Sequence, residues 1–162
     1  MAAVVRELRL VPESDIRAMA VYLASFAASA RPQERETRLV DHAARSGLPA
    51  STGARLFDGA CAVCHDAPDE SDRARAVPLA VSSTVHAARP ENFMLTVLDG
   101  FDHDRTDSEI MPTFRSRLTN AQLAELAAYI RGRFAPQAAP WKNLKEAAAR
   151  LRQVSSGERT AR

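Results

Sequence analysis

Cysteine occurs twice in this 162-residue chain, and both copies fall in one five-residue stretch, Cys61-Ala-Val-Cys64-His65. Two thiols and an imidazole at that spacing could exchange disulfides, ligate zinc, or attach a haem covalently through its vinyl groups. The order of the residues favours haem. Thiols three residues apart can reach the two vinyl groups on one porphyrin edge, and an imidazole at the next residue can then point along the axis to iron. A reactive dithiol wants a helix N-terminus to lower its pKa and a strand before it, whereas this pair follows a helical stretch. Zinc would need a further ligand from His42, His86 or His103, none of which stands at finger-like spacing. The reading is one haem c, anchored by Cys61 and Cys64, with His65 as an axial iron ligand.

A low-spin iron wants a second axial ligand, and a methionine thioether favours the ferrous form and raises the potential. Four methionines are available. Met1 starts the chain, Met19 belongs to a helical stripe near it, and Met94 lies inside a helix, where core filling explains it better. Met111 is expected in a loop before a helix, with Pro112 restricting its backbone, and is the choice for the sixth ligand. His103 competes, but its neighbours Asp102, Asp104 and Asp107 suit a hydrated loop. His86, between apolar neighbours, reads as a structural histidine. The acidic run from Asp99 to Glu109 lacks the central glycine and final glutamate of a calcium loop.

These groups must be positioned by helices, because no segment alternates as a strand would, and the expected fold class is all-α. A helix from Thr52 to about Cys64, with Leu56, Phe57 and Ala60 inward, leads into the Cys-His stretch. A long connection from Asp66 to Arg89 is expected to be largely irregular. Pro90 suits a helix start and Gly100 a stop, with Phe93, Val97 and Leu98 between them. Thr119 and Gln122 form a capping-box pattern ahead of the stripe Leu123, Leu126, Ala127 and Ile130.

A similar helix near the other end carries Ile16, Met19, Ala20, Leu23 and Phe26 at helical spacing. Ile16 to Leu23 aligns with Leu123 to Ile130 without a gap, Tyr22 over Tyr129, as an internal repeat would. The expected organisation is therefore residues 1–30 as the end of a preceding domain, 31–50 as a polar linker, 51–135 as a complete domain, and 136–162 as a basic tail. In the tail, Trp141, Leu144, Ala148 and Leu151 mark a short amphipathic helix, suited to a partner or membrane surface or to packing on its own domain.

With 46% hydrophobic residues and only six glycines, the chain is neither disordered nor collagenous, and its cysteines form no disulfide scaffold. The net charge of +2 hides an uneven layout: residues 131–162 carry eight basic against two acidic side chains, and residues 1–130 carry 14 against 18. The longest apolar run, Ala18 to Ala30, is too short to span a bilayer. It ends in a small-x-small triplet, Ala28-Ser29-Ala30, but Glu7, Glu13 and Asp15 precede it where a signal peptide would be basic.

The residues from about Ser51 to Phe134 resemble class I c-type cytochromes. The resemblance rests on Gly53-Ala-Arg-Leu-Phe57, Cys61-Ala-Val-Cys64-His65, Pro78-Leu79, Met111-Pro112-Thr-Phe114 and the helix that follows Leu118-Thr119. It implies a small helical shell around the haem, with the carbonyl of Pro78 orienting His65. Asp66 departs from the pattern, since glycine often follows the histidine, and this leaves the shape of that loop open. More narrowly, the stretch from Pro78 to Phe93 and the closing Ala139-Pro140-Trp141 are similar to the last haem domain of multihaem cytochrome subunits of bacterial membrane-associated dehydrogenases. These include the nicotinate and isoquinoline molybdenum hydroxylases and the quinoprotein alcohol dehydrogenases. The opening segment resembles the end of the haem domain before it, lacking that domain's own Cys-x-x-Cys-His.

The resemblance implies one-electron transfer without substrate chemistry. The expected partners are a dehydrogenase catalytic subunit and a quinone or oxidase-side acceptor, with membrane-surface contact through the basic tail and no nucleic acid. Two other readings are a stand-alone monohaem shuttle and a peroxidase or sensor domain with an open sixth position. Haem c is fitted after export, so the expected location is periplasmic, at or near the inner membrane. Set beside the lack of a clean signal sequence, this leads to the expectation of a fragment of a longer multihaem protein.

Overall fold

A computed structural model of the chain describes residues 2–27, 32–45, 49–66, 78–100 and 111–159, and all of its helices and turns there build an all-α fold. Most of the expected long connection, the acidic loop with His103, and the Ala28-Ser29-Ala30 triplet lie outside the described residues. The chain divides into two units, Met1–Arg35 and Glu36–Arg162.

In the first unit, α1 (Ala2–Leu8) is followed by α2 (Glu13–Ala27), whose first turn is closed by bonds from the Asp15 and Ile16 amides to the Pro12 carbonyl. The stripe read from the sequence is present as a helical face, but Met19, Leu23 and Phe26 stay exposed within this unit. Tyr22 and Phe26, one turn apart, meet edge to face at 4.9 Å.

The stretch read as a polar linker is largely a helix, α3 (Pro32–Arg45). Its charged composition hides a narrow apolar stripe: Leu39 and Val40 pack against the core of the second unit, and Ala43 is buried in it. α4 (Thr52–Ala60) starts under the Ser51 side chain, which accepts the Ala54 amide at 3.1 Å. The helix expected to run through to Cys64 breaks at Cys61 and resumes as the short α5 (Ala62–His65). A single 3-10 turn (Leu79–Val81) and α6 (Ser83–His86) lead to α7 (Glu91–Asp99). Gly100 ends α7 at φ 70°, the left-handed conformation that favours glycine.

α8 (Asn120–Phe134) opens with the expected capping box: Thr119 Oγ1 accepts the Gln122 amide at 3.2 Å, and Gln122 Oε1 accepts the Thr119 amide at 2.8 Å. Leu123, Leu126, Ala127 and Ile130 are all buried. α9 (Leu144–Arg159) packs against α7 and α8. The basic tail thus belongs to the core: Trp141, Ala147, Ala148 and Leu151 are buried. The Trp141 indole N–H donates to the Ala87 carbonyl at 2.9 Å, its ring lies 5.5 Å from Phe93, and the Arg131 guanidinium sits 4.7 Å above it.

Candidate functional site

The break at Cys61 places the Cys-His stretch without losing its backbone bonds. The Cys61 amide still donates to Phe57 at 2.8 Å, and the His65 amide donates to Cys61 at 2.9 Å. Phe57, fully buried on α4, anchors this corner between Tyr129 and Phe134 of α8.

Met111 comes from a distant part of the chain. The segment Met111–Phe114 is tied to the end of α7 by the Phe114 amide on the Val97 carbonyl (3.1 Å) and the Thr113 hydroxyl on the Leu98 carbonyl (2.6 Å). The ion pair of Arg115 with Asp99, at 2.6 Å, closes the same junction. Gly100 packs directly on the Met111 carbonyl, and a β-carbon there would also stand 2.9 Å from the Pro112 carbonyl carbon.

These segments share a small, partly open cavity. Cys61, His65 and Met111 all line it, with the remaining wall apolar: Leu56 and Ala60 of α4, Phe93 and Val97 of α7, and Leu126 and Ile130 of α8 among others. A thiol that could anchor the ring, with an imidazole and a thioether that could ligate iron, in an otherwise hydrocarbon wall would suit a flat, apolar, iron-bearing cofactor. Cys64 and its neighbour Val63 are exposed on the outer side of α5. The cysteines are not joined by a disulfide. Pro78 precedes Leu79, another wall residue, and its carbonyl accepts the Val81 amide at 3.0 Å.

The electrostatics weigh against the rival chemistries. Burial, and secondarily the neighbouring Cys64, push the Cys61 thiol up to about 11, the opposite of what a reactive dithiol needs. Among the described residues no three His, Cys, Asp or Glu side chains converge as a site for a metal ion, so the zinc reading finds no donor set there. His86 pairs its Nε2 with the Ala80 carbonyl at 2.7 Å, in keeping with a structural role, and His42 is exposed on α3.

One feature of the corner was not legible in the sequence. Asp66, immediately after His65, meets Arg133 of α8, whose Nη2 lies 2.9 and 2.7 Å from its two carboxylate oxygens. A residue pair 67 positions apart leaves no periodic or motif signal. The only hint was that Asp66 stood where glycine often does.

Residues 49–130 match the family model described as cytochrome c oxidase, cbb3-type, subunit III. The chain belongs to that c-type cytochrome family. It therefore carries covalently bound haem c and transfers single electrons. The chain is also 38% identical, over 94% of its length, to a nicotinate dehydrogenase subunit of Pseudomonas putida. It is 28% identical, over 82% of its length, to the fructose dehydrogenase cytochrome subunit of Gluconobacter japonicus. It spans only 13% and 32% of those two relatives. The all-α fold and the haem c reading of the sequence agree with this membership. Among the described residues no helix is long and apolar enough to cross a membrane.

Proposed function

We propose that Cys61 and Cys64 hold haem c through two thioether bonds, that His65 and Met111 are its axial ligands, and that the Pro78 carbonyl orients the His65 ring. The observation that carries this is the cavity itself. It brings Cys61 and His65 together with Met111, from a distant part of the chain, in a wall that is otherwise apolar. When bound, haem c supplies a one-electron couple between ferric and ferrous iron. The chain's own residues do the rest. The α4, α7 and α8 side chains exclude water, the short bonds around Thr113 and Phe114 hold the Met111 segment in place, and exposed Val63 and Cys64 leave one edge of the site accessible to partners.

Both relatives are parts of dehydrogenases, and this supports a role for the chain as the cytochrome part of such a complex. It works in the periplasm, at or near the inner membrane. It takes electrons from a catalytic subunit and passes them to a quinone or oxidase-side acceptor of the respiratory chain. Residues 1–30 close a preceding haem domain, which accounts for an α2 stripe that has the spacing of α8 but stays exposed within its own unit.

The test is to express the chain with c-type haem maturation, denature it and record the pyridine haemochrome. Haem that stays attached, and is lost in Cys61→Ser with Cys64→Ser, is the expected result. A denatured chain free of haem, or a native protein with a high-spin spectrum and ready carbon monoxide binding, would overturn the attachment or the Met111 assignment respectively.

A further inference from the structure

The short helix that ends in His65 is held at both ends. At its start the Cys61 amide remains bonded to Phe57 of α4. At its end the Asp66 amide donates to the Ala62 carbonyl at 2.9 Å, and the Asp66 carboxylate is gripped by Nη2 of Arg133. Arg133 is unusually well fixed for an arginine. Its side chain is 10% exposed, its Nη1 lies 3.3 Å from the Tyr129 hydroxyl, and its Nε lies 3.5 Å from the Ala43 carbonyl of α3. The guanidinium stands 5.1 Å from the Phe57 ring and 4.8 Å from the Phe134 ring. Burial alone would lower its pKa, but Asp66 and Tyr129 more than offset that, so it stays charged.

This arrangement joins α3, α4 and α8 to the one residue that follows the histidine. Arg133 is buried but the Asp66 side chain is 35% exposed, and a partly exposed ion pair adds little to stability by itself, so as a purely stabilising device the pair is weak. It has two consequences at the haem corner. The backbone of His65 is restrained from both sides, and a fixed positive charge, itself buried, is paired with the carboxylate of the residue that follows the proposed iron ligand.

We propose that Arg133, acting through Asp66, is a positioning residue for His65, and that this pair sets part of the electrostatic field felt by the haem iron. The proposal rests on the reading of His65 as an axial ligand. It explains why this chain has aspartate where glycine often follows the histidine: the carboxylate is one half of a clamp whose other half is on α8.

The sign of the field provides the test. Ferrous haem carries one positive charge less than ferric, so a nearby cation favours reduction and a nearby anion opposes it. Arg133→Gln, Asp66→Asn and the double substitution are made in the haem-loaded chain, and midpoint potentials are measured at low salt. Arg133→Gln is expected to lower the potential, Asp66→Asn to raise it, and the double variant to lie between the two. Arg133→Lys should recover part of the shift. Shifts of the same sign, or none, would overturn the electrostatic role. If Arg133→Gln does not load haem, Asp66→Asn carries the sign test alone.

Thermal unfolding of the same set gives a second readout that needs no haem. The two single losses should be strongly non-additive if the pair clamps the segment, and additive losses would remove the clamp. If the unsubstituted chain itself retains no haem on denaturation, the assignment of His65 falls while this coupling still decides the clamp.

Discussion

Gly53 of α4 lies so close to α8 that a β-carbon on it would collide with the carbonyl oxygen of Glu125 and stand 2.8 Å from the Tyr129 β-carbon. The two helices pack backbone to backbone at this point, and the approach brings Phe57, one turn further along α4, into the rings of Tyr129 and Phe134. Gly53→Ala should therefore destabilise the domain by about 1–3 kcal/mol, the usual cost of overpacking against backbone. Gly59, on the same helix with open space around it, is the control. Gly59→Ala should be stabilising by roughly 0.5–1 kcal/mol, because alanine suits a helix better. Chemical denaturation of the two variants separates these outcomes by sign.

Met111→Ala should lower the haem potential on the order of 0.1 V or more, within the roughly 0.8 V that axial ligands span. It should also open the iron to cyanide and carbon monoxide. Gly100→Ala acts on the same residue through its backbone, because the new β-carbon must displace the Met111 carbonyl and the alanine must adopt a positive φ. A smaller shift of the same sign is expected by redox titration, and an unchanged potential in both variants would remove Met111 from the iron.

The raised pKa of Cys61 predicts an alkaline weakness in the haem-free chain. A thiol held up to about 11 by burial, and then by Cys64, contributes stability while it is protonated. That contribution is complete below the ordinary value of 9.0 and is lost as pH rises from there through about 11. Melting temperatures of the haem-free chain and of Cys61→Ala should converge over this interval. Parallel curves would show that burial does not hold the thiol protonated.

Removing residues 140–162 should unfold or severely destabilise the second unit rather than merely detach a partner-binding tail. The deletion strips Trp141 from Phe93 and Arg131 and uncovers the surface under Ala148 and Leu151. The milder Leu151→Ala should cost about 2–5 kcal/mol if the cavity does not collapse. Circular dichroism on both chains measures this, and a truncated chain that melts like the full one would refute a structural role for α9.

Arg152 gives the tail a second hold. It donates to the carbonyls of Arg115 and Leu118 and, at 2.6 Å, to the side-chain oxygen of Asn120, so it closes the turn ahead of α8. Arg152→Ala leaves those carbonyls unsatisfied in a half-buried place. It should lower stability by about 1–3 kcal/mol, with Arg152→Lys recovering only part, because lysine lacks the planar fork. Equal losses in the two variants, by denaturant titration, would argue against the fork.

What could be read from the residues alone was local or periodic. The Cys61-x-x-Cys64-His65 spacing, the Thr119 and Gln122 capping box, the stop at Gly100 and the apolar stripe of α8 each depend on groups within a few positions of one another, so their physics is written in the order of the residues. The reading of Met94 as core filling was also open to this kind of reasoning, because Met94 falls in a helical stripe, and it is fully buried in the core. Contacts between distant segments were decided by the tertiary structure. It made a core helix of much of the charged stretch read as a linker, because three apolar positions among many charges sufficed to bury Ala43. It turned the basic tail inward around Trp141, a choice that helix amphipathicity leaves open since a stripe does not say what covers it. It also joined Asp66 to Arg133, a pairing between residues far apart in the chain that depends on how α4 and α8 pack.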